Sequence, residues 1–134
     1  MSYNKIFDMV VIGAGLSGVG AACRYKTKFP NDNILIFESR SSIGGTWDLF
    51  RYPGVRSDSD MLTLGYDFRP WKGNKTLADG KSIRDYIHSV AKEYDIIQFI
   101  KYMSEVISVD YSTEECLWYI TLKNLKTGSV LSKE

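Results

Sequence analysis

The feature that most restricts this chain is the run Gly13-Ala14-Gly15-Leu16-Ser17-Gly18, a G-x-G-x-x-G pattern between two segments of opposite character. Ahead of it, Ile6 to Ile12 is apolar except for Asp8, which predicts a short strand buried on both faces of a parallel sheet. Behind it, Leu16 to Phe29 opens with small residues and closes with Arg24, Lys26 and Lys28 before Pro30. That order predicts a helix whose cationic end lies at the carboxyl side, where the helix dipole favours it. Asn33 to Glu38 then reads as a second buried strand ending in an acid, and the whole is one βαβ unit over 6–38 with a right-handed crossover. In this context Gly13 permits the tight turn, Gly15 lets the backbone approach a pyrophosphate, and Gly18 allows close helix–strand packing. Glu38 is placed to accept hydrogen bonds from a ribose diol, and an acid there disfavours a 2′-phosphate, so the expected ligand is NAD or FAD rather than NADP. The competing reading is that the glycines only relieve crowding between helix and sheet.

Downstream, residues 39–80 lose periodicity and become rich in Gly, Pro, Asp and Arg, with Trp47, Phe50, Tyr52, Tyr66, Phe68 and Trp71 interleaved. So long a stretch without regular structure is uncommon in a compact domain, and a cofactor could supply the missing packing. Ile83, Tyr86, Ile87, Val90, Ala91 and Tyr94 recur at helical spacing, predicting an amphipathic helix over 82–95 with Ser82 and Asp85 as its capping pair. His88 falls on the solvated face. Phe99 to Tyr111 and Leu117 to Lys123 predict two antiparallel strands of a β-meander over 99–134, whose third strand would begin after Thr127-Gly128.

Composition mainly excludes. With 17 basic and 16 acidic residues in 134 there is no electrostatic footprint for nucleic acid or an anionic membrane. Cys23 and Cys116 lie far from the single histidine, so no metal site is expected, and free buried thiols are the simpler reading. The uncharged run from Met9 to Cys23 is too short and too rich in glycine to span a membrane, which points to a cytosolic protein.

The segment after the second strand, Ser42-Ile43-Gly44-Gly45-Thr46-Trp47-Asp48, has a backbone bare enough for a large flat ligand to approach. An ordinary glycine turn followed by a core tryptophan would read the same way. The longer stretch from Gly44 through Trp47, Arg51-Tyr52-Pro53-Gly54, Arg56 and Asp58 to Met61 resembles the class B flavoprotein monooxygenases, the Baeyer–Villiger enzymes. Within them it is most similar to the ethionamide-activating group, and the likeness continues through Phe68-Arg69-Pro70-Trp71, Ala78-Asp79-Gly80-Lys81 and Val106-Ile107-Ser108.

The resemblance implies an α/β fold, a Rossmann-like FAD-binding domain of the glutathione-reductase type. A parallel sheet with flanking helices and an antiparallel β-meander would then be only its amino-terminal part. It also implies an enzyme in which NADPH reduces FAD and oxygen is inserted into a ketone or a thioamide-like sulfur compound. By similarity Gly13, Gly15, Ser17 and Gly18 hold the pyrophosphate and Glu38 the adenosine ribose. Thr46, Trp47, Asp48 and Leu49 would line the ribityl and ring side of the flavin. Arg56 and Ser57 fall where the nicotinamide reaches in, Asp58 matches an active-site aspartate, and Val106 offers backbone to the adenine. Read from its neighbours alone, Asp58 could equally be a turn residue or a surface partner of Arg56.

The chain also departs from that family. Lys92 stands where the signature Phe-x-Gly-x-x-x-His-x-x-x-Trp would need tryptophan after His88, and no second G-x-G-x-x-G follows. The NADPH domain and its catalytic arginine are therefore expected to be absent, and turnover by this polypeptide alone with them. An exposed apolar sheet edge would favour self-association. A non-enzymatic dinucleotide-binding module and an NAD-dependent dehydrogenase domain are the alternatives.

Overall fold

The computed structural model describes residues 5–131. Residues 1–4, and residues 132–134 at the end of the β-meander expected over 99–134, lie outside the described residues. Strand β1 (Met9–Ile12), helix α1 (Leu16–Lys28) and strand β2 (Ile34–Phe37) form the βαβ unit, with Met9 to Ile12 paired in parallel to Ile34 to Phe37. Two one-turn helices, α2 (Thr46–Leu49) and α3 (Met61–Leu64), follow in the long connection, and then comes helix α4 (Gly80–Glu93). Strand β3 (Ile100–Lys101) completes a three-stranded parallel sheet in the order β1-β2-β3. Strands β4 (Ser104–Ser112), β5 (Leu117–Asn124) and β6 (Val130–Leu131) form a second, antiparallel sheet.

Period-two alternation in β2 explains why all four of its residues are buried. Ile34 and Ile36 face a core built with Val19, Ala22 and Cys23 of α1 and Ile83, Ile87, Val90 and Ala91 of α4. Leu35 and Phe37 face the other way, where Leu122 of β5 closes a smaller cluster with Phe7, Val10, Val106 and Ile120. Helices thus cover one face of the parallel sheet and the meander covers the other. Each buried Val, Leu, Ile and Phe side chain among them contributes roughly 2 kcal/mol by leaving water.

Several expectations need correction. The first strand is shorter than 6–12, and it is not buried throughout, because Ile12 is 58% exposed. The capping pair of α4 lies three residues earlier than Ser82 and Asp85. Asp79 is the N-cap, its carboxylate accepting from the Ser82 amide at 3.1 Å and from the Ser82 hydroxyl at 2.7 Å. Phe99 to Tyr111 is not one strand. A single 3₁₀ turn over Ile97–Phe99 leads into β3, and Met103, with φ of 54°, breaks the chain's direction before β4. The same alternation of apolar residues therefore serves two different sheets, which periodicity alone does not separate. Of the two cysteines only Cys23 is buried; Cys116 is exposed in the β4–β5 turn.

The long connection supplies its own packing. Tyr66 stacks on Phe68 with ring centroids 4.9 Å apart and lies 5.6 Å from Tyr86 of α4, while Phe68 meets Tyr94 edge-on at 5.2 Å. The Tyr86 hydroxyl donates to the Arg69 carbonyl at 2.6 Å and accepts from the Tyr66 amide at 2.8 Å. Aromatic side chains on loop and helix thus pack residues 66–71 against α4. No helix among the described residues is long and apolar enough to cross a membrane.

Candidate functional site

The chemistry gathers where β1 ends. Gly13 has φ of 96°, a left-handed value that an L side chain rarely adopts, and its amide donates to the Phe37 carbonyl at 2.7 Å. That bond ties the turn to the tip of β2. Helix α1 begins with Gly15 as N-cap, no side chain caps it, and its first turn holds no acid. The amide groups and the positive end of the dipole are left for an anion.

The second bare backbone comes from the G-G-T-W loop. The Gly44 amide donates to the Ala14 carbonyl at 3.0 Å. A Cβ on Gly45 would lie 3.0 Å from the Gly15 Cα, and one on Gly15 would lie 3.4 Å from the Gly45 Cα. Two glycine segments, 30 residues apart in sequence, therefore touch main chain to main chain. Together they line an open cavity of about 420 Å3, with Ile12, Gly13, Gly15, Leu16, Ser17 and Gly18 on one wall and Gly44 to Trp47 on the other.

Glu38 stands behind this turn. It is 5% exposed, and its carboxylate accepts from the Ala14 amide at 2.8 Å and from the Arg40 amide at 2.8 Å. Two amides fix its position, and a carboxylate has further lone pairs to offer a diol.

Of the residues singled out in the sequence, Gly13, Gly15, Ser17, Gly18, Thr46 and Trp47 meet at the cavity, with Glu38 joined to it through Ala14. Asp48, Leu49, Arg56, Ser57, Asp58 and Val106 do not line it. Leu49 is 53% exposed. Ser57 is buried with its hydroxyl donating to the Ser59 carbonyl, whereas Arg56 and Asp58 are exposed, and the Asp58 carboxylate has no hydrogen-bond partner among the described residues. Val106 pairs with Leu122 next to a β-bulge and packs on the smaller core.

Asp48 departs furthest from its expected place. Its side chain is buried among guanidiniums: Arg40 at 2.9 Å, Arg51 at 2.6 Å and Arg84 at 3.6 Å. Burial alone would raise its carboxyl, but hydrogen bonds from Ser42, Arg40 and Arg51 and the charge of Arg40 outweigh that and hold it at about 2. Because the folded-state value lies below the ordinary 3.8, the stabilisation is complete above that value and is lost as pH falls through about 2. The stability gap between the wild type and Asp48→Asn, measured by urea unfolding, is expected to shrink by roughly 2 kcal/mol between pH 5 and pH 2. A gap independent of pH would show that the pairing contributes nothing.

Sequence reasoning did not find this arginine set, since Arg40, Arg51 and Arg84 come from three separate segments. It also missed Tyr66, whose ring fills the space above Gly20, where a Cβ would be 2.6 Å from the Tyr66 Cε1, and whose hydroxyl donates to the Leu16 carbonyl. The run of small residues in α1 was the available signal for such a neighbour.

A glycine turn joining strand to helix, an acid at the tip of the next strand and a parallel sheet define the Rossmann-like class of dinucleotide-binding proteins. The family model described as an NAD(P)-binding Rossmann-like domain matches residues 11–70. More particularly, the chain is similar to FAD-containing monooxygenases over an amino-terminal fragment of their length. It is 50% identical to the FAD-containing monooxygenase EthA of Mycobacterium tuberculosis over 127 residues, covering 95% of this chain and 26% of that one. Among solved structures it is similar to an oxidized steroid monooxygenase bound to NADP, with a TM-score of 0.81 and 29% identity over 94% of this chain and 24% of that one. A second neighbour, the OTEMO complex with FAD and NADP, gives a TM-score of 0.79 and 28% identity over 94% and 24% of the two chains. The chain thus spans about a quarter of the length of the relatives it matches.

Proposed function

We propose that this chain is the FAD-binding portion of an NADPH- and oxygen-dependent flavoprotein monooxygenase of the Baeyer–Villiger type. Its substrates would be ketones or thioamide-like sulfur compounds, and its setting the cytoplasm. The observation that carries the reading is the contact of two bare backbones, Gly15 and Gly45, beside an uncapped helix start, which leaves a main-chain cradle that any Cβ would narrow. Half-identity to an FAD-containing enzyme over nearly the whole chain supports it.

In this reading the first-turn amides of α1, with Gly13, Gly15, Ser17 and Gly18, hold the pyrophosphate, and Glu38 orients the adenosine ribose. Thr46 and Trp47 form the wall toward the flavin, where the indole excludes water and the hydroxyl can bond the ribityl chain. Bound there, FAD would supply the redox chemistry that consumes NADPH and oxygen. Arg56, Ser57 and Asp58 would serve the nicotinamide side and the reacting centre, which suits the exposure of Arg56 and Asp58. The backbone near Val106 would meet the adenine.

Purified protein titrated with FAD is expected to bind one equivalent, seen as a yellow product with flavin absorbance after dialysis. A colourless protein that takes up NAD or ADP instead would favour a non-enzymatic dinucleotide-binding module.

The same reading includes association with a second copy. The outer edge of β1 has no strand partner among the described residues, and Ile12 beside it is exposed. Solution scattering is expected to show a dimer or larger species; a monodisperse monomer would refute it.

A further inference from the structure

We propose that Asp48 is a positioning residue: anchored by Arg40, Arg51 and Arg84, it presses the G-G-T-W loop onto the glycine turn without itself meeting the ligand. The inference rests on the FAD-site reading and goes beyond it, because it assigns the flavin-side wall to an ion-pair cluster outside the cavity.

Three observations converge. The Asp48 carboxylate ties together separate elements, with Arg40 from the exit of β2, Arg51 from the segment after α2, and Arg84 from α4. Its backbone carbonyl also accepts from the Arg51 Nε at 2.9 Å, so main chain and side chain are held by the same guanidinium. The cluster bears on Gly44. A Cβ there would stand 3.0 Å from the Arg84 Cγ and 3.1 Å from the Asp48 Cβ, while the Gly44 amide on the other side donates to Ala14 at 3.0 Å. Gly44 is thus clamped between the cluster and the glycine turn, and at φ of 127° it cannot be replaced by a residue that would hold itself there.

Asparagine at position 48 keeps the shape but loses the charge, leaving three guanidiniums that repel one another and no acid to gather them. The wall that contains Thr46 and Trp47 should then loosen, whereas Glu38 and the start of α1, which take the adenosine diphosphate end, keep their own bonds. A purely structural role would weaken both halves of the site together; a positioning role splits them.

The test is equilibrium dialysis of FAD and of ADP against the wild type, Asp48→Asn and Arg51→Gln. Arg51 is 62% exposed at its side chain, so its variant should fold even where the first does not. The expected result is a fall in FAD affinity on the order of tenfold or more for Asp48→Asn and a smaller fall for Arg51→Gln, with ADP affinity held within about twofold. Unchanged FAD affinity in the folded variants, or equal losses for FAD and ADP, would overturn the inference. A wild type that binds neither ligand would instead overturn the FAD-site reading on which it stands.

Discussion

Gly18→Ala is expected to unfold the protein at a markedly lower temperature than Gly15→Ala, although both replace a glycine of the same motif with the same methyl group. At Gly18 the added Cβ would sit 1.9 Å from the Gly13 carbonyl oxygen and 3.2 Å from a methyl of Val11. The first of these is main chain and cannot swing aside, so helix α1 must lift from β1. Lifting it opens the packing of Val19, Ala22 and Cys23 against β2, and overpacking of this kind costs about 1–3 kcal/mol, more than the helix propensity that alanine gains. For a chain of this size that corresponds to a fall in Tm of roughly 10 °C. At Gly15 the nearest obstacle is the Gly45 Cα at 3.4 Å, and the backbone angles, φ of −83° and ψ of −169°, suit any residue. Gly15→Ala should therefore fold almost as well as the wild type, while the methyl group protrudes into the main-chain cradle and lowers FAD affinity by about a hundredfold. Thermal unfolding paired with FAD titration separates the two cases. Equal Tm values for the two variants would show that Gly18 does not govern helix–strand contact, and undiminished FAD binding by Gly15→Ala would place the pyrophosphate elsewhere.

Part of this arrangement is legible in the amino-acid sequence itself. The tight turn at Gly13 and the close helix–strand crossing at Gly18 follow from where the motif sits between strand and helix, because each fails with a side chain. Helix α4 was legible for the same reason: its apolar stripe repeats with the helix period, and the structure buries Ile83, Tyr86, Ile87, Val90 and Ala91 together. What stayed hidden depends on partners distant in sequence. Nothing local to Asp48 announces that Arg84 reaches it from α4, so an acid beside Trp47 read as part of the ligand wall. Nothing in Phe99 to Tyr111 announces that Ile100 and Lys101 pair with β2 while Val106 pairs with β5, since both sheets ask for the same extended, apolar residues. The aromatic residues of 66–71 were visible as a composition, but their packing on Tyr86 and Tyr94 was a matter of tertiary contact.

Glu38→Ala is expected to damage both stability and nucleotide selectivity, and the two effects have separate causes. The Ala14 and Arg40 amides both donate to this carboxylate, at 2.8 Å each, inside a residue that is 5% exposed. Alanine leaves both donors without an acceptor, and at about 1–3 kcal/mol for each buried unsatisfied group the loss is on the order of 3 kcal/mol. Glutamine restores one acceptor oxygen but turns its amide hydrogens toward the other donor, so Glu38→Gln should recover only part of that stability. Selectivity follows from charge rather than from shape. A carboxylate repels a phosphate on the ribose and accepts from a free diol, so the wild type should prefer ADP over ADP carrying a 2′-phosphate by about a hundredfold. In Glu38→Gln the diol still finds an acceptor while the repulsion is gone, and the preference should shrink toward about tenfold; in Glu38→Ala it should nearly vanish as ADP binding itself weakens. Competition of the two nucleotides against FAD, read from the displaced flavin, measures that ratio in all three proteins. A preference that survives intact in Glu38→Gln would mean that the strand-tip acid does not read the ribose, and that the pocket excludes a 2′-phosphate by shape alone.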